Sequence, residues 1–124
     1  MNNRLEIAVM YLINWNPNES RLEASFGGCI TNGEAEVFFE ELREYFENCK
    51  GKEFDLVLDY ATVKKMDDHV MDTLYSARDA GQFAGASRTI FVARDEKEAT
   101  DLTDERLQFV IEGREEYVPY RWAA

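Results

Sequence analysis

Residues 56–74 read LVLDYATVKKMDDHVMDTL, and this decisive stretch carries the main signals for the fold. Its apolar beginning extends the run that starts at Phe54, and a short, nearly continuous apolar run is typical of a strand buried on both faces of a sheet. The adjacent carboxylates of Asp67 and Asp68 then precede apolar residues at helical spacing. The stretch therefore predicts a central strand over residues 54–59, a short loop, and a helix that begins near Asp67 or Asp68.

Two strands are predicted before this stretch. Residues 5–13 are largely apolar and predict a first strand that is covered on both faces over part of its length. Residues 14–20 are rich in turn formers. Apolar and polar residues alternate over 21–26, which predicts a half-buried strand that pairs with the first as a hairpin. We expect Gly27 and Gly28 to end this second strand.

Capping and helical periodicity place the first two helices. Thr31 and Glu34 have the spacing of a capping box, and the apolar residues that follow predict a helix over 33–49 with an acidic outer face. We expect Gly81 and Gly85 to bracket the end of the second helix. Its inner stripe is predicted to contain Val70, Met71, Leu74 and Ala77, extended by Arg78 or Gly81.

The last third completes an alternation of strands and helices. Residues 89–93 predict a fourth strand, a third helical segment lies between Asp95 and Glu112, and residues 117–120 predict a short edge strand, where a proline is tolerated. The order β-β-α-β-α-β-α, with a final strand, indicates an α/β fold. We expect a small mixed sheet of four to five strands with helices packed on it, in a single domain over residues 1–124.

Composition limits the classes of partner. The net charge of −11 argues against a nucleic-acid phosphate backbone and against an anionic membrane surface. The apolar stretch at residues 5–13 is too short to span a bilayer and is interrupted by Glu6, so no membrane insertion and no signal peptide are expected. Cys29 and Cys49 lack metal-site spacing, and we expect reduced, buried thiols in a cytoplasmic protein.

The polar residues of the decisive stretch do not predict catalytic or metal chemistry. Asp67, Asp68, His69 and Asp72 have the right ligand atoms, but neighbouring residues on a helix point in different directions and no second cluster completes a site. His69 is the only histidine, and we expect it to be exposed in the first turn. Asp59 is expected to bind backbone groups of the following loop. No metal and no cofactor are predicted.

The same stretch resembles the core signature of the STAS domain, the family of bacterial anti-sigma factor antagonists. In that family an Asp-Ser-Ser/Thr-Gly run opens the helix, and its first Ser is phosphorylated. Asp67 matches the family Asp, but Asp68 stands where the Ser would be. His69, Val70 and Asp72 also replace the usual residues. The resemblance covers most of the chain, and it is strongest over residues 54–92.

The resemblance implies a STAS-like fold and a non-enzymatic protein-binding regulatory module in signal transduction and transcription regulation. The implied partner is a protein, such as a kinase-type anti-sigma factor. The switch cannot be phosphorylated in the family manner, because Asp68 replaces the Ser. The partner-binding residues would lie between Thr62 and Asp72, namely Thr62, Lys64, Met66, Asp67, Asp68, His69 and Asp72.

Asp68 has three interpretations and the chain has two alternative functions. Asp68 could imitate the phosphorylated state, serve as a contact adapted to a partner, or only cap the helix. The chain could also be a STAS subunit of another signalling or transporter assembly. It could also be a small enzyme with an acidic site around Asp59 and Asp67, and a deep pocket lined by both residues would favour that alternative.

Overall fold

The computed structural model describes residues 10–120 of the chain, and within them five strands and four helices follow one another. The strands are β1 (Tyr11–Asn16), β2 (Arg21–Ile30), β3 (Asp55–Met66), β4 (Arg88–Ala93) and β5 (Glu115–Pro119). The helices are α1 (Asn32–Cys49), α2 (Val70–Phe83), α3 (Glu96–Glu105) and α4 (Leu107–Ile111). The predicted α/β fold is confirmed.

The five strands form one mixed sheet whose spatial order is the order of the chain. β1 and β2 are antiparallel, as predicted, and β2 to β5 are parallel neighbours. Each parallel connection steps to the next strand in the same direction, so right-handed crossovers place the connecting helices on one face. The main core lies under those helices, and a smaller apolar cluster lies on the opposite face, formed by Val57, Ile90, Val92 and Val118.

α2 packs closely on the sheet because its glycine, Gly81, faces it. A Cβ atom built on Gly81 would lie 2.5 Å from Cδ2 of Leu56 and 3.3 Å from Cζ of Phe46. Leu56 lies in β3 and is fully buried, and Phe46 lies on the inner face of α1. Gly81 is therefore the point where α2 approaches both β3 and α1. The predicted inner stripe of α2 is confirmed at Val70, Leu74, Ala77, Arg78 and Gly81, and the partly buried Met71 packs against the same core.

A buried polar network joins β5 to the helices. The Glu115 carboxylate accepts hydrogen bonds from Arg106 Nη2 at 2.7 Å, Gln82 Nε2 at 2.7 Å and Tyr117 Oη at 2.7 Å. Arg78 Nη1 donates to Tyr117 Oη at 3.2 Å. Burial by itself would raise the pKa of Glu115, but these hydrogen bonds outweigh it and lower the pKa to about 2.

The first three strands end later than predicted. Residues 5–9 lie outside the described part of the chain, and β1 continues through Asn16, so the turn is confined to residues 17–20. β2 continues to Ile30 instead of ending at Gly27 and Gly28. Gly28 adopts φ +61° between two register shifts, and this irregularity lets β2 bend and keep pairing. β3 continues to Met66, because it pairs with that extension of β2.

Two helix predictions also change. α2 begins at Val70, two residues after Asp68, near which it was predicted to begin. The third helical segment is divided into α3 and α4 at Arg106. The Asp95 side chain caps α3. Thr103 Oγ1 donates to the carbonyl of Ala99 at 2.8 Å, so its hydroxyl is satisfied inside the helix.

The two thiols are free but differ in exposure. Cys49 is buried on α1, as predicted, and burial raises its pKa. Cys29 is exposed, so the prediction that it is buried is wrong. The reason is the unexpected extension of β2, which carries Cys29 past the main body of the sheet, opposite Lys65 of β3.

Candidate functional site

The candidate site lies where β3 ends and α2 begins. Thr62, Lys64 and Met66 were predicted to lie in a loop, but they belong to β3. Thr62 and Met66 pair with the end of β2, and Lys64 lies at a register shift between the two strands. Thr62 lies opposite Gly27, and its Oγ1 donates to the carbonyl of Phe26 at 3.4 Å. Thr62 and Lys64 are exposed, while Met66 is partly buried against the core. The extended strand pair therefore presents residues 62–66 on a hydrogen-bonded strand rather than on a flexible loop, and we call the surface formed by the end of β3 and the start of α2 the Asp68 edge.

Asp67 connects the beginnings of the two helices. Its Oδ2 accepts a hydrogen bond from the Asn32 backbone amide at 3.2 Å, at the first residue of α1. In return, Asn32 Oδ1 accepts from the His69 backbone amide at 3.3 Å. This exchange fixes the segment before α2 against the start of α1, because both bonds cross between the same two short segments.

Neither predicted aspartate caps α2. The residue at the N-cap position is His69, whose side chain makes no capping hydrogen bond. The Asp67 side chain serves α1 instead, although its carbonyl accepts from the Val70 amide at 3.2 Å. The interpretation of Asp68 as only a helix cap is therefore wrong. Among residues 10–120 no side chain caps the start of α2, which carries the partial positive charge of a helix N-terminus.

Asp68 is exposed at the turn that opens α2. Within residues 10–120 its carboxylate forms no hydrogen bond and no ion pair. His69 next to it is exposed, as predicted, and its Nδ1 lies 3.4 Å from Asp72 Oδ2. Thr73 Oγ1 donates to the His69 carbonyl at 3.2 Å. The carboxylates of Asp68 and Asp72 thus give the start of α2 an acidic, solvent-facing surface.

A cleft between α1 and α2 extends this surface in a way that the sequence did not predict. It has a volume of about 390 Å³. Its α2 side begins at His69 and Asp72, and the partly buried Phe39 contributes from α1. The remaining lining residues are Glu36, Glu40, Arg43, Thr73 and Ser76. The helical periodicity of α1 was the only sequence signal for this cleft, because the angle at which two helices pack cannot be read from the sequence of either helix.

Asp59 and Asp67 do not share a pocket among residues 10–120. Asp59 lines a groove of about 560 Å³ on the sheet face opposite the helices, together with Arg21, Glu23 and Ser25. Burial raises the pKa of Asp59, and its Oδ1 accepts from the Ala61 amide at 2.9 Å. Asp67 is exposed at the start of α2. The condition that favoured an acidic enzyme site is therefore not met.

The described residues also offer no cluster for a metal ion. Within residues 10–120, no three His, Cys, Asp or Glu side chains come together in a way that could hold one. Asp67, Asp68, His69 and Asp72 are neighbours along the chain, but only His69 and Asp72 approach each other. No helix in the same range is both long and apolar enough to cross a bilayer.

Comparisons with solved structures identify the fold. The anti-sigma factor antagonist SpoIIAA in its unphosphorylated form aligns with a TM-score of 0.59 and 10% identity, over 83% of this chain and 98% of that one. Two structures of Mglu, one of them its native form, align with TM-scores of 0.51 at 20% and 19% identity, over 64% of this chain.

This chain spans about a fifth of the length of Mglu, 18% and 21% in the two structures. No protein-family model and no curated protein matches the sequence. At these identities the likeness concerns the fold alone, and the fold is STAS-like.

Proposed function

We propose that residues 1–124 form one STAS-like domain that acts by binding a protein partner and catalyses no reaction. It works as an anti-sigma factor antagonist-like regulator in the bacterial cytoplasm, and its partner is a kinase-type anti-sigma factor. The partner binds the edge formed by the end of β3 and the start of α2. The contact residues are Thr62, Lys64, Met66, Asp67, Asp68, His69 and Asp72.

The exposed Asp68 carboxylate carries this proposal. It stands at the position of the family's phosphorylated Ser, and within residues 10–120 it forms no bond to its own chain. An exposed carboxylate without an intramolecular partner adds little to stability, but it can pair with a cation on another protein. Asp67, by contrast, is occupied by the Asn32 amide and positions the segment.

Asp68 acts as a contact adapted to its partner rather than as a permanent phosphate mimic. A phosphoserine would carry about −1.5 to −2 charges and three acceptor oxygens, whereas Asp68 carries one charge and two oxygens. The neighbouring positions have changed as well. Val70, at the place of the family Gly, is fully buried in the core, and His69 Nδ1 lies 3.4 Å from Asp72 Oδ2. Simple imitation of the phosphate would not require those changes.

Affinity capture from the native host tests the proposal. Wild-type bait should retain a protein with a kinase-type ATP-binding domain, and Asp68→Lys should release it, because the substitution reverses a charge at the contact. Asp104→Lys is the matched control, since Asp104 is an exposed aspartate on α3. Calorimetry with the purified partner should then show that Asp68→Ser weakens binding about 5–30-fold, as expected for one lost charge-assisted contact.

Other outcomes identify other functions. Capture of a subunit of a transporter or another signalling complex, dependent on Asp68, would replace the anti-sigma partner by such an assembly. Stronger binding of Asp68→Ser would instead support the phosphate mimic. If no captured protein depended on Asp68, the proposal that this edge is the binding surface would be refuted.

A further inference from the structure

The last residue of α2 is a phenylalanine that the chain leaves in solvent. The exposed fraction of Phe83 is 96%, while other exposed large apolar side chains in the described range reach 75% at Ile111 and 62% at Leu12. An isolated exposed apolar residue is common on protein surfaces and needs no explanation. Phe83 differs because an apolar groove lies directly beside it.

The groove lies between the carboxyl-terminal halves of α1 and α2 and has a volume of about 290 Å³. Its floor consists of Phe46, Ala80 and Ala84, and Phe83 forms one wall. The floor exposes little of each side chain, since Phe46 is buried and the two alanines are partly buried. A phenylalanine ring is therefore placed next to an apolar depression of the size that an aromatic side chain could enter.

The charges around this groove are of both signs. Arg43, Glu47 and Lys50 form its rim on the α1 side, and Lys50 Nζ lies 3.1 Å from Glu47 Oε2. Arg43 has no carboxylate within 4.0 Å among the described residues. Other parts of the outer face of α1 are acidic, at Glu36, Glu40, Glu41 and Glu44. A second copy of this chain, whose net charge is −11, would therefore meet the positive charges of Arg43 and Lys50 at this groove.

We propose that this groove binds a second copy of the same chain. In a two-fold pair, Phe83 of each copy enters the groove of the other, and Arg43 and Lys50 of each copy face Glu47 of the other. A two-fold interface must be complementary to itself, and this surface provides both a protruding ring and a depression, and both signs of charge. A strongly basic or strongly acidic partner would match only part of the rim.

The dimer surface and the proposed partner surface lie at opposite ends of the helix pair. α1 and α2 both begin at the edge that carries Asp67 and Asn32, and both end near Phe83. One dimer can therefore present two copies of the Asp68 edge at once. The inference does not depend on the proposed function, because the association requires no other protein.

Sedimentation velocity on the full chain tests the proposal. The wild-type chain should pass from monomer to dimer as its concentration rises, and the dimer should be favoured by salt, because screening reduces the net repulsion. Phe83→Glu should weaken the dimer at least about 30-fold, as for loss of an interface hot spot. Ile111→Glu is the matched control, because it charges an exposed apolar residue on α4 and should leave the dimer intact.

A charge exchange separates this pairing from non-specific association. Glu47→Lys alone and the double variant Arg43→Glu with Lys50→Glu should each remain monomeric, because each places like charges face to face. An equimolar mixture of the two variants should form a heterodimer. A wild-type chain that stays monomeric up to about 1 mM, the limit of a meaningful affinity, would refute the proposal. A dimer that survives Phe83→Glu, or a mixture that fails to associate, would refute it equally.

The variant Phe83→Ala distinguishes loss of the dimer from misfolding of the chain. Phe83 is almost fully exposed, so truncation of its side chain should leave the circular dichroism spectrum and the free energy of unfolding unchanged. The dimer should nevertheless weaken as it does with Phe83→Glu. A dimer as strong as that of the wild type would contradict the proposed role of the ring.

Discussion

Asp67 Oδ2 accepts a hydrogen bond from the backbone amide of Asn32 at 3.2 Å, across 35 residues of sequence. The side-chain oxygen of Asn32 in turn accepts a hydrogen bond from the His69 amide at 3.3 Å. The position of the segment before α2 is therefore set by α1, and the exposed Asp68 between Asp67 and His69 is held in a fixed place. An Asp at the start of a helix usually caps that helix, whereas here it satisfies an amide of the preceding one.

Removal of the Asp67 carboxylate should destabilise the fold. Asp67→Ala should lower the free energy of unfolding by about 1 kcal/mol, because it leaves an amide at the start of α1 without its acceptor. Asp68→Ala is the control and should stay within about 0.5 kcal/mol of the wild type, as for a surface residue without partners. Urea unfolding of both variants measures the difference. Equal losses in the two variants would contradict the assigned role of Asp67.

Phosphorylation should require a restored hydroxyl. On the proposal that Asp68 stands at the family's Ser position, a kinase-type partner with ATP should place no phosphate on residues 62–72 of the wild-type chain. Thr62 and Thr73 are hydroxyl donors to the carbonyls of Phe26 and His69, which makes them poor substitutes. Asp68→Ser should gain one phosphate, detected by intact mass and located by peptide sequencing. Phosphate on the wild-type segment would overturn this expectation.

Gly81 should not tolerate a methyl group. Gly→Ala in a helix normally stabilises it by about 1 kcal/mol, but a Cβ at Gly81 would lie 2.5 Å from the buried Leu56. Gly81→Ala should therefore lower the free energy of unfolding by about 1–3 kcal/mol, the usual cost of overpacking. Gly33→Ala is the control, because a Cβ there meets nothing within 4 Å. It should stabilise the chain, and both are measured by urea unfolding.

The Glu115 network should make stability fall in acid. The pKa of Glu115 is lowered from 4.5 to about 2, so its stabilisation is complete above pH 4.5 and is lost as the pH falls towards 2. Glu115→Ala leaves Arg106 without its carboxylate and should cost about 3–5 kcal/mol at pH 7, as for a broken buried ion pair.

Glu116→Ala is the matched control for Glu115, since Glu116 reaches Arg88 only at 3.4 Å in a half-exposed pair. It should cost less than about 1 kcal/mol. Thermal unfolding of Glu115→Gln between pH 2 and 5 should show a weaker pH dependence than the wild type. A slope equal to that of the wild type would show that other carboxylates determine the acid sensitivity.

The two thiols should react at different rates. Cys29 is exposed, whereas Cys49 is buried and its pKa is raised, so its thiolate is scarce at neutral pH. A thiol reagent should therefore label one site per native chain quickly and two sites per chain in denaturant. Cys29→Ser should abolish the fast phase, and Cys49→Ser should leave it. Rapid labelling of both thiols in the native state would contradict the burial of Cys49.

The sequence predicted the features that depend on nearby residues. The Thr31 and Glu34 capping box is present with both of its bonds, because both groups lie within one turn. The inner stripe of α2 followed from its periodicity in the same way. The sequence did not predict that β3 reaches Met66, since that extension depends on pairing with β2, more than 30 residues earlier.

The candidate site was predictable only in part. Its location followed from the resemblance to the STAS family, and the exposure of His69 followed from its place in the first turn of the predicted helix. The hydrogen bond from the Asn32 amide to Asp67 did not follow from the sequence, because Asn32 belongs to another element and an Asp at the start of a helix usually caps that same helix. The groove beside Phe83 was also missed, since the burial of Phe46, Ala80 and Ala84 depends on how two helices pack.

The strand order β1-β2-β3-β4-β5 also has a consequence for how the chain folds. Each strand pairs with the strand that precedes it in the sequence, but the residues paired in the three parallel ladders lie 26 to 36 positions apart, because a helix-containing connection separates the strands. Parallel pairings that close such long loops are associated with slow folding, whereas the β1–β2 hairpin is local. We therefore expect the hairpin to form first and the parallel pairings to limit the folding rate.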